Sequence, residues 1–137
     1  STILTKASEK GIDAESIINT SCRHSEVPLN ISLVSASIFF IRPSFSKKAS
    51  SPTKQGEIMA MGIPLVCNAG VGDTDLVVKQ YNAGIVIDEM NETNYRSSLI
   101  NDSCYDRTLT MKGSHEFYGL EVGVERYLSV YQKLLTN

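Results

Sequence analysis

The sequence predicts an α/β fold built on a doubly wound parallel sheet and closed by a helical C-terminal segment. Three observations carry that expectation. Short apolar runs alternate with helical patterns along most of the chain. The connections between them are short, as in parallel strands joined by crossover helices. From Leu120 onward apolar residues recur at helical spacing only.

Taken in order, Ile3 to Thr5 reads as a first strand, and Ser8 to Gly11 as a short helix closed by glycine. Ile17 to Thr20 is a second strand candidate. Ser25 is placed to cap a helix holding Glu26, Val27, Pro28, Ile31 and Val34, with the proline tolerated in the first turn. Ser37 to Ile41 is apolar almost throughout, as in a strand buried on both faces. A helix follows Pro52, and Gly62-Ile63-Pro64 ends it and opens a strand over Pro64 to Cys67. The loop Asn68 to Gly72 leads to a helix over Asp73 to Tyr81, for which Asp73 and Asp75 are the simplest caps. Asn82-Ala83-Gly84 ends that helix, and Gly84 to Ile87 is the last strand. Beyond it the chain reads as helix over Glu92 to Asn101, a second turn near Tyr105 to Met111, and a long helix over Leu120 to Leu135. The segment Ser97 to Gly113 is polar and carries the weakest pattern. In the closing helix Val122, Val124, Tyr127, Leu128, Tyr131 and Leu134 form an apolar stripe, expected to pack in the core or against a second domain.

A chain of 137 residues with 42% hydrophobic and 20% charged residues suits one globular domain of ordinary size. A net charge of −2 gives no argument for nucleic acid. No apolar run approaches the roughly 18 residues of a membrane span, and Lys6, Glu9, Lys10 and Asp13 break any secretory pattern. Cys22, Cys67 and Cys104 are far apart, with no CxxC and no paired histidines, so unpaired thiols in a reducing cytoplasm are expected and no metal site is. His24 and His115 are isolated, the first in a loop and the second on the surface. The chain opens directly on an apolar run, which suggests a C-terminal part of a longer protein.

The chemistry concentrates between Ser50 and Val66. Ser51 is expected at the N-cap and Pro52 at the first helical position. The first backbone N–H groups of that helix are then free beside Lys54, which makes an anion site. A cation there opposes the helix dipole unless an anionic ligand is bound. One turn on, Glu57 brings a carboxylate near whatever carries the anion, and a ribose diphosphate fits both. From Leu33 to Gly56 there is no acid, while Arg42, Lys47, Lys48 and Lys54 all fall inside. The plain alternative is a solvated basic loop over an ordinary capped helix, with Lys54 and Glu57 as surface residues. In a doubly wound sheet ligands bind beyond the carboxyl ends of the strands. Three loops qualify there, over residues 21–25, 42–51 and 68–73. Gly70 and Gly72 either allow close backbone approach or make a plain turn.

These residues form a pattern. Pro43-Ser44, then Pro52-Thr53-Lys54-x-x-Glu57-x-Met59-Ala60-x-Gly62-x-Pro64-x-Val66, then Gly70-Val71-Gly72-Asp73, Gly84 and Val124-x-x-Tyr127-x-x-Val130-Tyr131 resemble the nucleotide-sugar site of retaining GT-B glycosyltransferases of the family 4 type. The resemblance covers most of the chain. It implies that residues 1–137 form one Rossmann-like, donor-binding domain, the C-terminal half of a GT-B fold. Ser51, Pro52, Thr53, Lys54 and Glu57 would then hold the donor, with Glu57 on the ribose hydroxyls and residues 52–54 on the diphosphate. Arg42, Lys47, Lys48, Gly70 and Gly72 are the further phosphate or sugar contacts, and Cys22, His24 and Glu26 would lie near the base. The substrate is a nucleoside diphosphate sugar, with no cofactor and no metal. The partner is an N-terminal acceptor-binding domain outside this chain. Through it the protein, expected in the cytoplasm, would touch the inner face of the membrane.

Two departures stand out. Where the family often carries a glutamate eight residues before the ribose carboxylate, this chain has Ala49. The family's Arg and Lys pair, which neutralises the leaving diphosphate, normally precedes this segment. A non-catalytic nucleotide-binding module, or an interaction domain with the same architecture, is therefore the alternative to an active transferase.

Overall fold

The computed structural model describes residues 2–98 and 105–136. Its centre is a three-stranded parallel sheet of order β1-β2-β3, with β1 at Ser37–Ile38, β2 at Leu65–Asn68 and β3 at Gly84–Ile87. Ser37 stands opposite Leu65 and Ile38 opposite Val66. On the other side Leu65, Val66, Cys67 and Asn68 pair with Gly84 to Ile87 in register. Helices flank the sheet: α1 (Thr2–Glu9), α2 (Val27–Ser32), α3 (Thr53–Ala60), α4 (Thr74–Gln80), α5 (Glu92–Ser97), α6 (Arg107–Gly113) and α7 (Leu120–Leu135). This is a Rossmann-like parallel α/β architecture ending in a long helix, as the alternation of patterns predicts. No helix of the described residues is long and apolar enough to cross a membrane.

β2 is buried along its whole length because it lies between two strands and against α4. Ile58 and Met59 of α3, Val77 and Val78 of α4, and Leu65 and Cys67 of β2 form the core with Ile63, Tyr81 and Ala83. Gly84 begins β3 at φ 144°, and a Cβ there would run into the Leu65 carbonyl, so the close approach of the two strands requires glycine.

The first twenty residues correct the sequence reading. Ile3 to Thr5 is not a strand but the first part of α1, which runs through Ser8 to Glu9. An apolar run this short has no period of its own, and here the spacing of Ile3 and Ala7 places the buried Ala7 on a helix face. Ile17 to Thr20 forms no strand either. Ile18 is 89% exposed, and no strand pairs with this segment among the described residues. Ser25 does not cap α2: a 3-10 turn over His24–Glu26 leads into the helix, and the Glu26 carboxylate accepts the Arg23 N–H at 2.7 Å.

The β1 ladder is two residues long rather than five, and it lies at the sheet edge among the described residues, so Ile38 (67%) and Phe40 (42%) are exposed rather than buried. The backbone nevertheless stays extended. Phe39 N donates to Val66 O, and the buried Asn68 carboxamide continues the pairing, accepting from Ile41 N at 2.8 Å and donating to Ile41 O at 2.9 Å. α5 matches the start of the expected Glu92 to Asn101 helix, and Ser98 is its C-cap; residues 99–104 lie outside the described residues. The expected turn near Tyr105 to Met111 is α6, which continues through a π-turn over Ser114–Tyr118.

The closing helix has the predicted bounds, but its apolar stripe is not core. Tyr127 and Tyr131 are 72% and 61% exposed, and Leu120, Val124, Leu128 and Leu134 are exposed with them.

Candidate functional site

Helix α3 opens where the long loop after β1 returns to the sheet. Pro52, at φ −69° and ψ 112°, is the N-cap, one position later than the sequence suggests, so Ser51 is not the capping residue. Among the described residues no side chain caps this end. Gln55 N is taken by the Pro52 carbonyl, while Thr53 N and Lys54 N make no hydrogen bond among the described residues. Two free donors at a helix start carry the positive end of the dipole. Thr53, Lys54 and Glu57 are exposed, while Gln55, Gly56, Ile58 and Met59 are buried. Lys54 and Glu57 form no ion pair among the described residues.

This exposed face opens into a cavity of about 670 Å³ between α3, α2 and the open edge of β1. Thr53, Lys54, Glu57, Cys22 and His24 provide its polar groups, with Asn30 and Ser37. Val27, Ile31, Val34, Ile38 and Ile58 provide its apolar wall. A second, largely apolar cavity of about 380 Å³ shares His24, Val27, Ile31 and Glu57, and reaches on to Pro28, Ala60 and Met61 at the far end of α3. The groove beside α3 thus has free donors and an ammonium at one end, a carboxylate in the middle and an apolar chamber at the other. At 1.5 Å per residue, Lys54 and Glu57 are roughly 4.5 Å apart along the axis, and Met61 lies about 6 Å further on.

Other expected site residues lie elsewhere. Arg42, Lys47 and Lys48 are exposed and line neither cavity; the two lysines belong to a 3-10 turn over Ser46–Ala49 that also carries Ala49. Gly72, at φ 46°, backs directly onto the Ser50 carbonyl, where a Cβ would clash, and Gly70 lies against the Pro43 ring. These glycines seat the loop after β2 on the loop that leads to α3. Asp73 occupies the N-cap of α4 without a side-chain cap bond. Ser51 and Glu26 do not line the cavities.

The Ser51 side chain instead faces Tyr118 without closing a hydrogen bond. Burial pushes the Tyr118 hydroxyl up to about 12; Ser51 pulls it down, and Asp73 and Cys67 push it up. The apolar lining was the part that sequence reasoning missed. Val27, Ile31 and Val34 recur at i, i+4 and i+7, which reads as a core-facing stripe, yet here the stripe faces the cavity. Among the described residues no group of three or more His, Cys, Asp or Glu is placed to hold a metal ion.

Comparison of the chain with protein-family models, with curated proteins and with solved structures gives no match.

Proposed function

We propose that this chain binds a nucleoside diphosphate sugar and is the donor-binding part of a retaining glycosyltransferase of the GT-B, family 4 type. The observation that carries the reading is the order of groups along the α3 groove. Free N–H groups and Lys54 suit a diphosphate, Glu57 suits ribose hydroxyls, and the apolar chamber beside His24 suits a base. A nucleotide presents phosphate, ribose and base in that order at comparable spacing. Glycosyl transfer leaves a nucleoside diphosphate with extra negative charge, and donors fixed in advance at that charge lower the barrier. In this reading Thr53 and Lys54 serve the leaving group, Arg42, Lys47 and Lys48 add a diffuse positive field, and an N-terminal domain supplies the acceptor in the cytoplasm or at the inner membrane face.

Ala49 supports a second reading, a nucleotide-binding module without transfer activity. It stands exposed in its 3-10 turn where the family often places a carboxylate for the donor sugar. Melting scans with UDP, GDP, ADP and their sugar conjugates test what both readings share. At a hundred times its dissociation constant the right ligand adds about 2.7 kcal/mol of stability. A folded chain that none of these ligands shifts would sink both. A difference between the free diphosphate and its sugar conjugate separates them, since only a donor site gains from the sugar.

A further inference from the structure

Behind the first turn of α3 lies a polar junction that the nucleotide reading does not use. Three oxygens on three elements, Gln55 Oε1, Thr74 Oγ1 and Tyr118 Oη, are shielded from solvent and make no hydrogen bond among the described residues. Gln55 and Thr74 are completely or almost completely buried. The residues that carry them are neighbours in the fold. Gln55 Nε2 donates to the Thr74 carbonyl at 3.1 Å. The Tyr118 ring occupies the space where Gly56 would carry a Cβ. The Tyr118 hydroxyl faces Ser51, just ahead of α3, and senses the charge of Asp73, which precedes Thr74.

Buried polar groups are paired in folded proteins, and those without a protein partner are usually joined by an ordered water making two to four bonds. The chemistry of the three groups suits one water. Gln55 Oε1 only accepts, and the two hydroxyls accept or donate.

We propose that a single ordered water bridges Gln55, Thr74 and Tyr118, and that Tyr118 is thereby a positioning residue for the first turn of α3. Gln55 and Gly56 directly follow the two residues whose N–H groups are free. The water fixes Gln55, the Tyr118 ring fixes Gly56, and Ser114 Oγ holds the Gly56 carbonyl at 2.8 Å. Together they set the direction in which Thr53 N–H and Lys54 N–H point. That last step rests on the nucleotide reading; the water does not.

Tyr118→Phe and Thr74→Val keep their shapes and lose only a hydroxyl, so both variants are expected to fold. With a shared water, each lowers the melting temperature by roughly 2–6 °C, and the double variant loses clearly less than the sum, because both changes break the same bridge. If the hydroxyls are truly unpaired, each change removes a costly buried oxygen and the melting temperature rises. A rise, or strictly additive losses, overturns the water. Titrations with UDP, GDP or ADP and with the matching nucleoside test the positioning. Tyr118→Phe should weaken the diphosphate several-fold more than the nucleoside, although Tyr118 lines neither cavity. Equal losses overturn the positioning role. A wild-type chain that binds no nucleotide overturns that role together with the nucleotide reading, while the melting shifts still judge the water.

Discussion

Glu57 and Lys54 stand about one turn apart on the exposed side of α3, and their roles in the proposed site are separable. Glu57→Gln keeps the shape and removes the charge. Charge-assisted bonds to ribose hydroxyls contribute about 1.5–3 kcal/mol, so nucleoside and nucleoside diphosphate should both weaken roughly 10- to 150-fold. Lys54→Ala should weaken the diphosphate far more than the nucleoside, because its charge acts beside the free N–H groups. Calorimetry with UDP and uridine, or the matching purine pair, reads both. Loss of less than twofold at Glu57→Gln, or equal losses for the two ligands at Lys54→Ala, would return that side chain to the solvated surface. These polar residues were legible in sequence because their spacing carries chemistry. The hydroxyls of Thr74 and Tyr118 were not, since only the fold brings residues so far apart together. Cys67 makes a different prediction at the same scale. Burial, helped by Asp75 and opposed by Lys79, pushes its thiol from 9.0 to about 12. Below about pH 9 folded and unfolded chains both keep the proton. Between about 9 and 12 only the folded chain keeps it, so stability falls as pH rises, by up to about 1.4 kcal/mol per unit from this group. Denaturant midpoints at about pH 8 and about pH 10 should differ less for Cys67→Ala than for wild type; an unchanged difference would assign the alkaline loss to other groups.

At the scale of the element, glycine has two opposite meanings in this chain. Gly84→Ala must either displace the Leu65 carbonyl or leave φ 144°, and should cost at least about 2 kcal/mol with loss of β2–β3 pairing. A Cβ added at Gly123, inside α7, would meet nothing within 4 Å, and Gly123→Ala should stabilise by about 0.5–1 kcal/mol. Chemical denaturation measures both, and the same sign for the two would contradict the contact geometry. The elements that were legible in sequence are those with local punctuation. β3 and α7 have the bounds that glycine and apolar spacing predict, and β2 differs by a residue at each end. Residues 3–5 and 17–20 have no such punctuation. Whether a short apolar run becomes strand or helix depends on a neighbouring strand to pair with, and among the described residues none pairs with them. The start of α3 moved by one residue because proline satisfies an N-cap geometry as readily as a first helical position.

For the whole molecule, the contrast is between a dense centre and thinly covered margins. The centre of the sheet is sealed by α3, α4 and the π-turn, while β1 and α7 keep large apolar side chains in solvent. The margins are not all equally loose, and Asn68 decides where the difference falls. Its carboxamide, anchored in the central strand, closes both bonds to the Ile41 backbone, beyond the last residue of β1. In deuterium exchange the amide of Ile41 should therefore keep its proton as long as that of Phe39, and β1 should behave as a strand of about five residues rather than two. In Asn68→Ala the Ile41 amide should exchange at the rate of a loop, while the Cys67 amide, held in the β2–β3 ladder, keeps its slow rate. How quickly this edge opens is then set by one side chain, and two segments 27 residues apart share a single clock.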